Sequence, residues 1–506
     1  MDAESPARQR WSDLLPRLRA QDPTIWGPPG TPELAGRLGW LDLPSAMEPR
    51  LAEIEALADR AVAGGINDVV LLGMGGSSLA PEVFASVLGI QPGHPRLTVL
   101  DSTHPDQVRA VRQAIDPDRT LFVVSSKSGT TLETLAGFRF FWHLCDGDGS
   151  RFVAITDPGT SFEQLAIERG FRAVVNAPSD VGGRFSALTP FGLVPAALIG
   201  ADLHTLLGSA GGVDWEDAAD MGVVWGEAAL EGRDKLTMLT SPGLRAYPNW
   251  VEQLVAESLG KDGKGIVPVA GEPPLDRYGD DRLFVELRIA DEGVAVAPPG
   301  HPSLRRELVD RYALGREMLA AEVATAVAGE VLGVHPFNQP DVELAKERTR
   351  QALDAEPARV DLVAFFSPVL ADRIDDLLAR MSARDYFSIH AYLPVESSTD
   401  HSLSLLRHRL GNRAGTATTM GYGPRFLHST GQLHKGGPDT GVFLQLVDQP
   451  EADLAVPETS TTFGRMISAQ ALGDYLALKE RGRRVLRVDL GPDRQAGLEA
   501  LLAAIG

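Results

Sequence analysis

The feature that most constrains the fold is an alternation. From about residue 50, short uninterrupted apolar runs recur every 20 to 30 residues, at Val69–Leu72, Leu97–Leu100, Leu121–Val124, Phe152–Ile155 and Ala173–Val175. Helix-like stretches lie between them, at Leu79–Leu88, Pro105–Ala114, Leu132–Phe141 and Phe162–Arg169. A strand that is apolar at successive positions is buried on both faces, which a parallel sheet with helices on either side provides. The pattern therefore predicts an α/β chain, with one doubly wound parallel-sheet domain over residues 46–200. Residues 1–45 read as a helical segment broken by the turn-rich PPGTPE at 28–33. Residues 201–358 read as a second such domain, with strands near Lys235–Leu239, Gly265–Val269 and Leu283–Leu287 and a long helix over Arg311–Leu332. Its boundary, near 350–358, is a charged helical run and not a flexible linker. Residues 359–506 form a C-terminal α/β section, with strands at Tyr386–Leu393, Gly441–Val447 and Arg484–Val488 and helices around 402–410 and 465–480.

Charge narrows the function. With 48 Lys and Arg against 68 Asp and Glu, the 506-residue chain carries a formal charge of −20. That argues against a general affinity for nucleic acid or an anionic membrane, so an anionic substrate needs a local pocket of donors. The N-terminus has no apolar signal core, and no apolar stretch approaches 18 residues. A single cysteine, Cys145, excludes an intrachain disulfide framework and fits a reducing cytoplasm, the expected location. The tryptophans, Trp225 and Trp250 among them, read as core.

Two loops carry donor pockets. Gly73-Met74-Gly75-Gly76-Ser77-Ser78-Leu79-Ala80-Pro81 follows an apolar strand and opens a helix. Small residues there let backbone N–H groups approach an anion at the positive end of the helix dipole. A dinucleotide fingerprint competes, since Asp101 ends the next strand and could bind a ribose, but Ser78 stands where that motif wants Gly or Ala. The second loop, Ser125-Ser126-Lys127-Ser128-Gly129-Thr130-Thr131-Leu132-Glu133-Thr134, places hydroxyls and one lysine at a second strand-to-helix junction. One such loop fits an ordinary capped turn; two at the carboxyl edge of one sheet point to a shared phosphate.

GMGGSSLAP (73–81), SSKSGTTLET (125–134), VGGRFS (181–186), ESLGK (257–261) and FNQPDVELAK (337–346), in that order, resemble the glucose-6-phosphate isomerase family. With DPTIWG (22–27) and GYGPRFLHSTGQLHKGGPDTGVFLQL (421–446), the chain is similar to the isomerase portion of bifunctional transaldolase/glucose-6-phosphate isomerases, here with no transaldolase barrel ahead of it. The resemblance implies two sugar-isomerase (SIS) domains, over 46–200 and 201–358, and neither metal nor organic cofactor. It implies that Ser77, Ser126, Ser128 and Thr131 bind the sugar phosphate beside Lys127 and the Gly75-Gly76 backbone. Gly183 and Arg184 fall at the reacting carbons, Glu257 on the general base, Gln339 on a phosphate contact, and Lys346 at the ring oxygen. The family's ring-opening histidine lies between base and lysine, where only His301 and His335 occur; His428 and His434, in HSTGQLHK downstream, are the further candidates.

Taken alone, Glu257 reads as a helix-surface acid, Arg184 as a structural ion-pair former and Lys346 as an exposed helical lysine; the motifs around them reverse this. Aldose–ketose interconversion needs an acid and a base to open the hemiacetal, one carboxylate over two adjacent carbons, and a fixed cation for the enediolate. The expectation is reversible isomerisation of glucose 6-phosphate and fructose 6-phosphate. A non-catalytic sugar-phosphate-binding SIS protein, or an isomerase of another phosphosugar, is the alternative. The expected partner is the small sugar phosphate; a homodimer and a monomer both stay open.

Overall fold

A computed structural model describes residues 5–354 and 360–506. It contains three separate sheets, and every strand pairing within them is parallel. The first holds β1 (Asp68–Gly73), β2 (Arg96–Leu100), β3 (Thr120–Ser125), β4 (Phe152–Thr156) and β5 (Ala173–Asn176), in the order β2-β1-β3-β4-β5. The second holds β6 (Lys235–Thr240), β7 (Val267–Val269), β8 (Arg282–Ile289) and β9 (Ser303–Leu308), in the order β7-β6-β8-β9. The third holds β10 (Leu362–Ala364), β11 (Tyr386–Tyr392), β12 (Ala417–Tyr422), β13 (Gly441–Val447) and β14 (Arg484–Asp489), in the order β10-β14-β13-β11-β12.

Each expected strand forms. The three that the apolar pattern misses, β9, β10 and β12, are all edge strands. An edge strand has fewer neighbours to hide behind and need not be apolar throughout. β9, with the sequence SLRREL, is accordingly half exposed along its length. Among the described residues no helix is long and apolar enough to cross a membrane.

The residue 1–45 segment does not stand apart. Trp11 and Trp40 join the continuous core that runs through the first two sheets, and the Trp26 indole donates to the Ala326 carbonyl at 2.8 Å. Trp225 and Trp250 are buried in this core. The third sheet has a core of its own, yet Val456, Phe463 and Met466 of this section join the core formed by one face of the first sheet and its helices. The charged boundary at 350–358 lies partly outside the described residues. The helix leading into it, Val342–Asp354, packs on the third section's helix Phe463–Glu480. There Gly473 leaves room for the Thr349 backbone, and Arg348 pairs with Glu480.

The first and third sheets meet with their carboxyl edges facing. His104, just past β2, lies 2.9 Å from the carboxylate of Asp448, just past β13. Arg494 reaches both Asp448 and Asp106, at 2.7 and 3.0 Å. Asp101, the candidate ribose ligand, instead faces Arg425 of the third section at 3.3 Å. The carboxyl edge of a doubly wound sheet is where ligands ordinarily bind, and in the third sheet that edge is taken up by the first domain.

Candidate active site

Six segments converge at this junction. The turn after β1 enters it with Gly75 at φ +54, the left-handed region that glycine tolerates. A Cβ on Gly76 would lie 1.9 Å from the Gly183 carbonyl oxygen, so the first phosphate loop touches the Gly183-Arg184 turn backbone to backbone. Gly183 itself has open space where a Cβ would be, which leaves that face clear for a ligand. In the loop after β3, Ser126 and Thr131 hydroxyls lie 3.0 Å apart, as do those of Ser128 and Thr130. Ser77 is buried in the first loop. Lys127 turns aside: its ammonium binds Asp157 and the Ser179 carbonyl, and burial lowers its pKa.

Arg184 forms the floor. Its guanidinium donates to Ser258 Oγ at 2.7 Å, Glu257 Oε1 at 2.9 Å, Pro336 O at 2.6 Å and Asn338 O at 3.1 Å, with Gln339 Oε1 at 3.4 Å. Burial works to lower its pKa and the Glu257 carboxylate opposes it. Glu257 sits on the helix Tyr247–Leu259, and Gln253, one turn earlier on the same face, donates to its other oxygen at 3.1 Å. Lys261 completes the floor by donating to the carbonyls of His335 and Asn338 at 2.7 and 2.6 Å. Burial, reinforced by the Arg184 charge, brings its pKa down to about 6.

The roof comes from the third section. The helix Gly431–Gly436 docks on the ESLGK motif through Gln432, whose amide nitrogen donates to Gly260 O at 2.9 Å and Asp341 Oδ2 at 2.7 Å. Leu433 packs on Gly260, where a Cβ would lie 2.4 Å from the Leu433 Cα. The His428 carbonyl accepts from Gln253 Nε2 at 2.8 Å, and its imidazole Nε2 lies 3.1 Å from Glu133 Oε1. Burial of the His428 ring disfavours the imidazolium, but the Glu133 carboxylate outweighs it and the pKa rises. In turn the His428 charge and its hydrogen bond overcome burial at Glu133, whose pKa falls. Lys346, half exposed and 2.7 Å from Glu343, contributes a positive charge felt by both groups.

The structure thus brings together Gly75, Gly76, Ser77, Ser126, Thr131, Gly183, Arg184, Glu257, Gln339 and His428, with Lys346 at the rim. It places the other histidines elsewhere. The His434 ring is buried, 4.6 Å from the His390 ring and flanked by Tyr386 and Phe443. Burial, then the His390 and Lys435 charges, holds its pKa well below the usual value. His335 spans the Pro32 carbonyl and the Phe337 amide, and His301 packs on Tyr278 and Phe284. Sequence reasoning passed over Glu133, Gln253, Ser258 and Lys261. Three of these lie inside the quoted motifs and Gln253 stands four residues before Glu257, so motif membership and helical spacing were the available signals.

Residues 53–219 match the family model described as phosphoglucose isomerase. A Rubrobacter xylanophilus protein named glucose-6-phosphate isomerase is 32% identical over 406 residues, which cover 67% of this chain and 92% of that one. A glucose-6-phosphate isomerase of Thermus thermophilus is 30% identical over 417 residues, covering 69% and 96%. A crystal structure of a hypothetical protein from Thermus thermophilus superposes with a TM-score of 0.58 at 28% identity, over 69% of this chain and 97% of that one. The chain belongs to the glucose-6-phosphate isomerase family.

Proposed function

We propose that the chain interconverts glucose 6-phosphate and fructose 6-phosphate, and that it corresponds to the isomerase portion of the bifunctional transaldolase/isomerases. The observation that carries the reading is the buried Arg184–Glu257 pair beneath two loops of glycines and hydroxyls. In this reading the Gly75-Gly76-Ser77 turn and the hydroxyls of Ser126, Ser128 and Thr131 hold the phosphate, with Gln339 beside them. His428 and Lys346 open the ring: one gives a proton to the ring oxygen while the other takes the anomeric proton. Glu257 then removes the C2 proton and returns it to C1, and the O2 proton passes to O1 in the same sense, so aldose and ketose balance. Arg184, charged and already fixed by five oxygen contacts, meets the negative charge of the enediolate without reorganising.

Formation of glucose 6-phosphate from fructose 6-phosphate, followed with a coupled dehydrogenase, tests the reading. Turnover that disappears in Glu257→Gln supports it; no turnover in the unaltered chain makes the protein a sugar-phosphate binder instead.

A further inference from the structure

His428 is oriented by Glu133, and Glu133 is itself held by a residue far from the cleft motifs. Gln470 Nε2 donates to Glu133 Oε1 at 2.7 Å, on the same oxygen that faces His428 Nε2 at 3.1 Å. The Thr103 hydroxyl, just past β2, donates to Gln470 Oε1 at 2.6 Å. The amide's orientation is dictated chemically. An ionised carboxylate only accepts hydrogen bonds, so the NH2 must face Glu133, leaving the amide oxygen for the Thr103 hydroxyl. Gln470 and Thr103 are both fully buried, at 2% and 0% exposure, so neither contact can be exchanged for water without opening the interface.

The helix bearing Gln470 is equally constrained. Thr462 caps its start by accepting from the Arg465 amide, Phe463 and Met466 are buried in the core on one face of the first domain, Phe463 against Phe140, and the Tyr392 hydroxyl meets the Gln470 carbonyl at 3.4 Å. Two side chains of the third section, His428 and Gln470, thus grip one carboxylate of the first domain.

We propose that Gln470 is a positioning residue for ring opening, which fixes the Glu133 carboxylate so that the Glu133–His428 pair forms with its imidazole aimed into the cleft. The inference rests on the ring-opening role of His428 given above. Without the amide, Glu133 keeps one partner at that oxygen and its rotamer is no longer set, and a misplaced general acid–base loses rate more than binding.

The test is a double-mutant cycle on fructose 6-phosphate turnover, with Gln470→Ala, His428→Ala and the double variant. In parallel, binding of 5-phosphoarabinonate is measured, an acyclic aldonate phosphate that needs no ring opening. Gln470→Ala is expected to lower kcat by about 10- to 100-fold while KM and affinity for the acyclic ligand stay within about twofold. In the His428→Ala background the same substitution is expected to cost less than about twofold, because the group it positions is gone. Independent, multiplicative losses, or a Gln470→Ala enzyme with more than half the normal kcat, overturn the positioning role. A His428→Ala enzyme of nearly normal kcat overturns the reading beneath it, a different result from either. Should Gln470→Ala fail to fold, Thr103→Val loosens the amide from its far side; a kcat loss that vanishes in the His428→Ala background supports the proposal and an unchanged kcat overturns it.

Discussion

The Arg184 guanidinium lies 2.9 Å from the Glu257 carboxylate, with the two side chains 4% and 11% exposed. A buried pair of this kind contributes little net stability, because desolvation offsets the attraction; in the proposed reaction its value is that base and cation are both fixed before substrate arrives. Glu257→Gln keeps the shape and removes the base, so kcat is expected to fall by several orders of magnitude with acyclic phosphate ligands still bound. A variant retaining more than about a tenth of the rate would show that another group moves the proton. Arg184→Lys keeps a charge but cannot reach Ser258, Pro336 O and Asn338 O together, and should lose about 10²- to 10³-fold in kcat.

The Glu133–His428 pair should be visible in pH dependence. The His428 pKa is raised above the ordinary histidine value of 6.5, so its contribution to stability is complete below that pH and is lost as pH rises through the folded value. The Glu133 pKa is lowered below 4.5, so its contribution is complete above that pH and is lost as pH falls through the folded value. The pair therefore stabilises most between about pH 4.5 and 6.5. Glu133→Gln should lower stability inside this window, remove the pair's share of the decline on either side of it, and shift the His428 titration, followed by NMR, toward acid. An unchanged His428 titration would sever the link between the two groups.

Gly76 is the least replaceable residue of the first loop. In Gly76→Ala the new methyl would meet the Gly183 carbonyl, backbone against backbone, and neither side is free to swing away. Overpacking of this kind costs about 1–3 kcal/mol, and the two loops must separate to relieve it. The expected outcome is a lower denaturation midpoint together with a raised KM, since Gly76 belongs to the loop proposed to hold the phosphate and the turn it displaces carries Arg184. A normal KM would mean that the 73–81 loop does not hold the phosphate.

Glu322, in the helix Leu314–Leu332, is fully buried, and neither carboxylate oxygen has a hydrogen-bond partner among the described residues. Burial raises its pKa well above 4.5, so the folded chain keeps a proton that the unfolded chain releases above that pH. Stability is therefore lost as pH rises, until the folded group also ionises. Glu322→Gln should match the unaltered protein near pH 4 and exceed its stability at pH 8 by about 1–3 kcal/mol. Chemical denaturation at the two pH values decides it; equal stabilities at pH 8 would mean the carboxyl finds a partner.

Which parts were legible follows from which forces act locally. β1, β3 and β4 announce themselves because central parallel strands are apolar on both faces, and loop chemistry marks the phosphate site because glycines and hydroxyls must be contiguous to surround one anion. Arg184 and Glu257 were found only because short motifs surround them. The choice between His428 and His434 was illegible: six residues apart, both stand in a Gly- and polar-rich segment, and only docking of Gln432 on Gly260 and Asp341 settles which ring meets Glu133. Gln470 had no local signal whatever. It lies on an ordinary amphipathic helix, and its partners, Thr103 and Glu133, are more than 300 residues away in the chain.

Facing sheet edges also set a timetable for synthesis. A ribosome that has completed the first two sheets has already made Glu257 and Arg184, the groups proposed to carry hydrogen between carbons and to steady the intermediate. His428 and Gln470, which share the Glu133 carboxylate, emerge only with the final third of the polypeptide, and domains tend to fold as they emerge. A nascent chain stalled before that point lacks His428 and Gln470, so the proposed site is complete only once the last sheet meets the first.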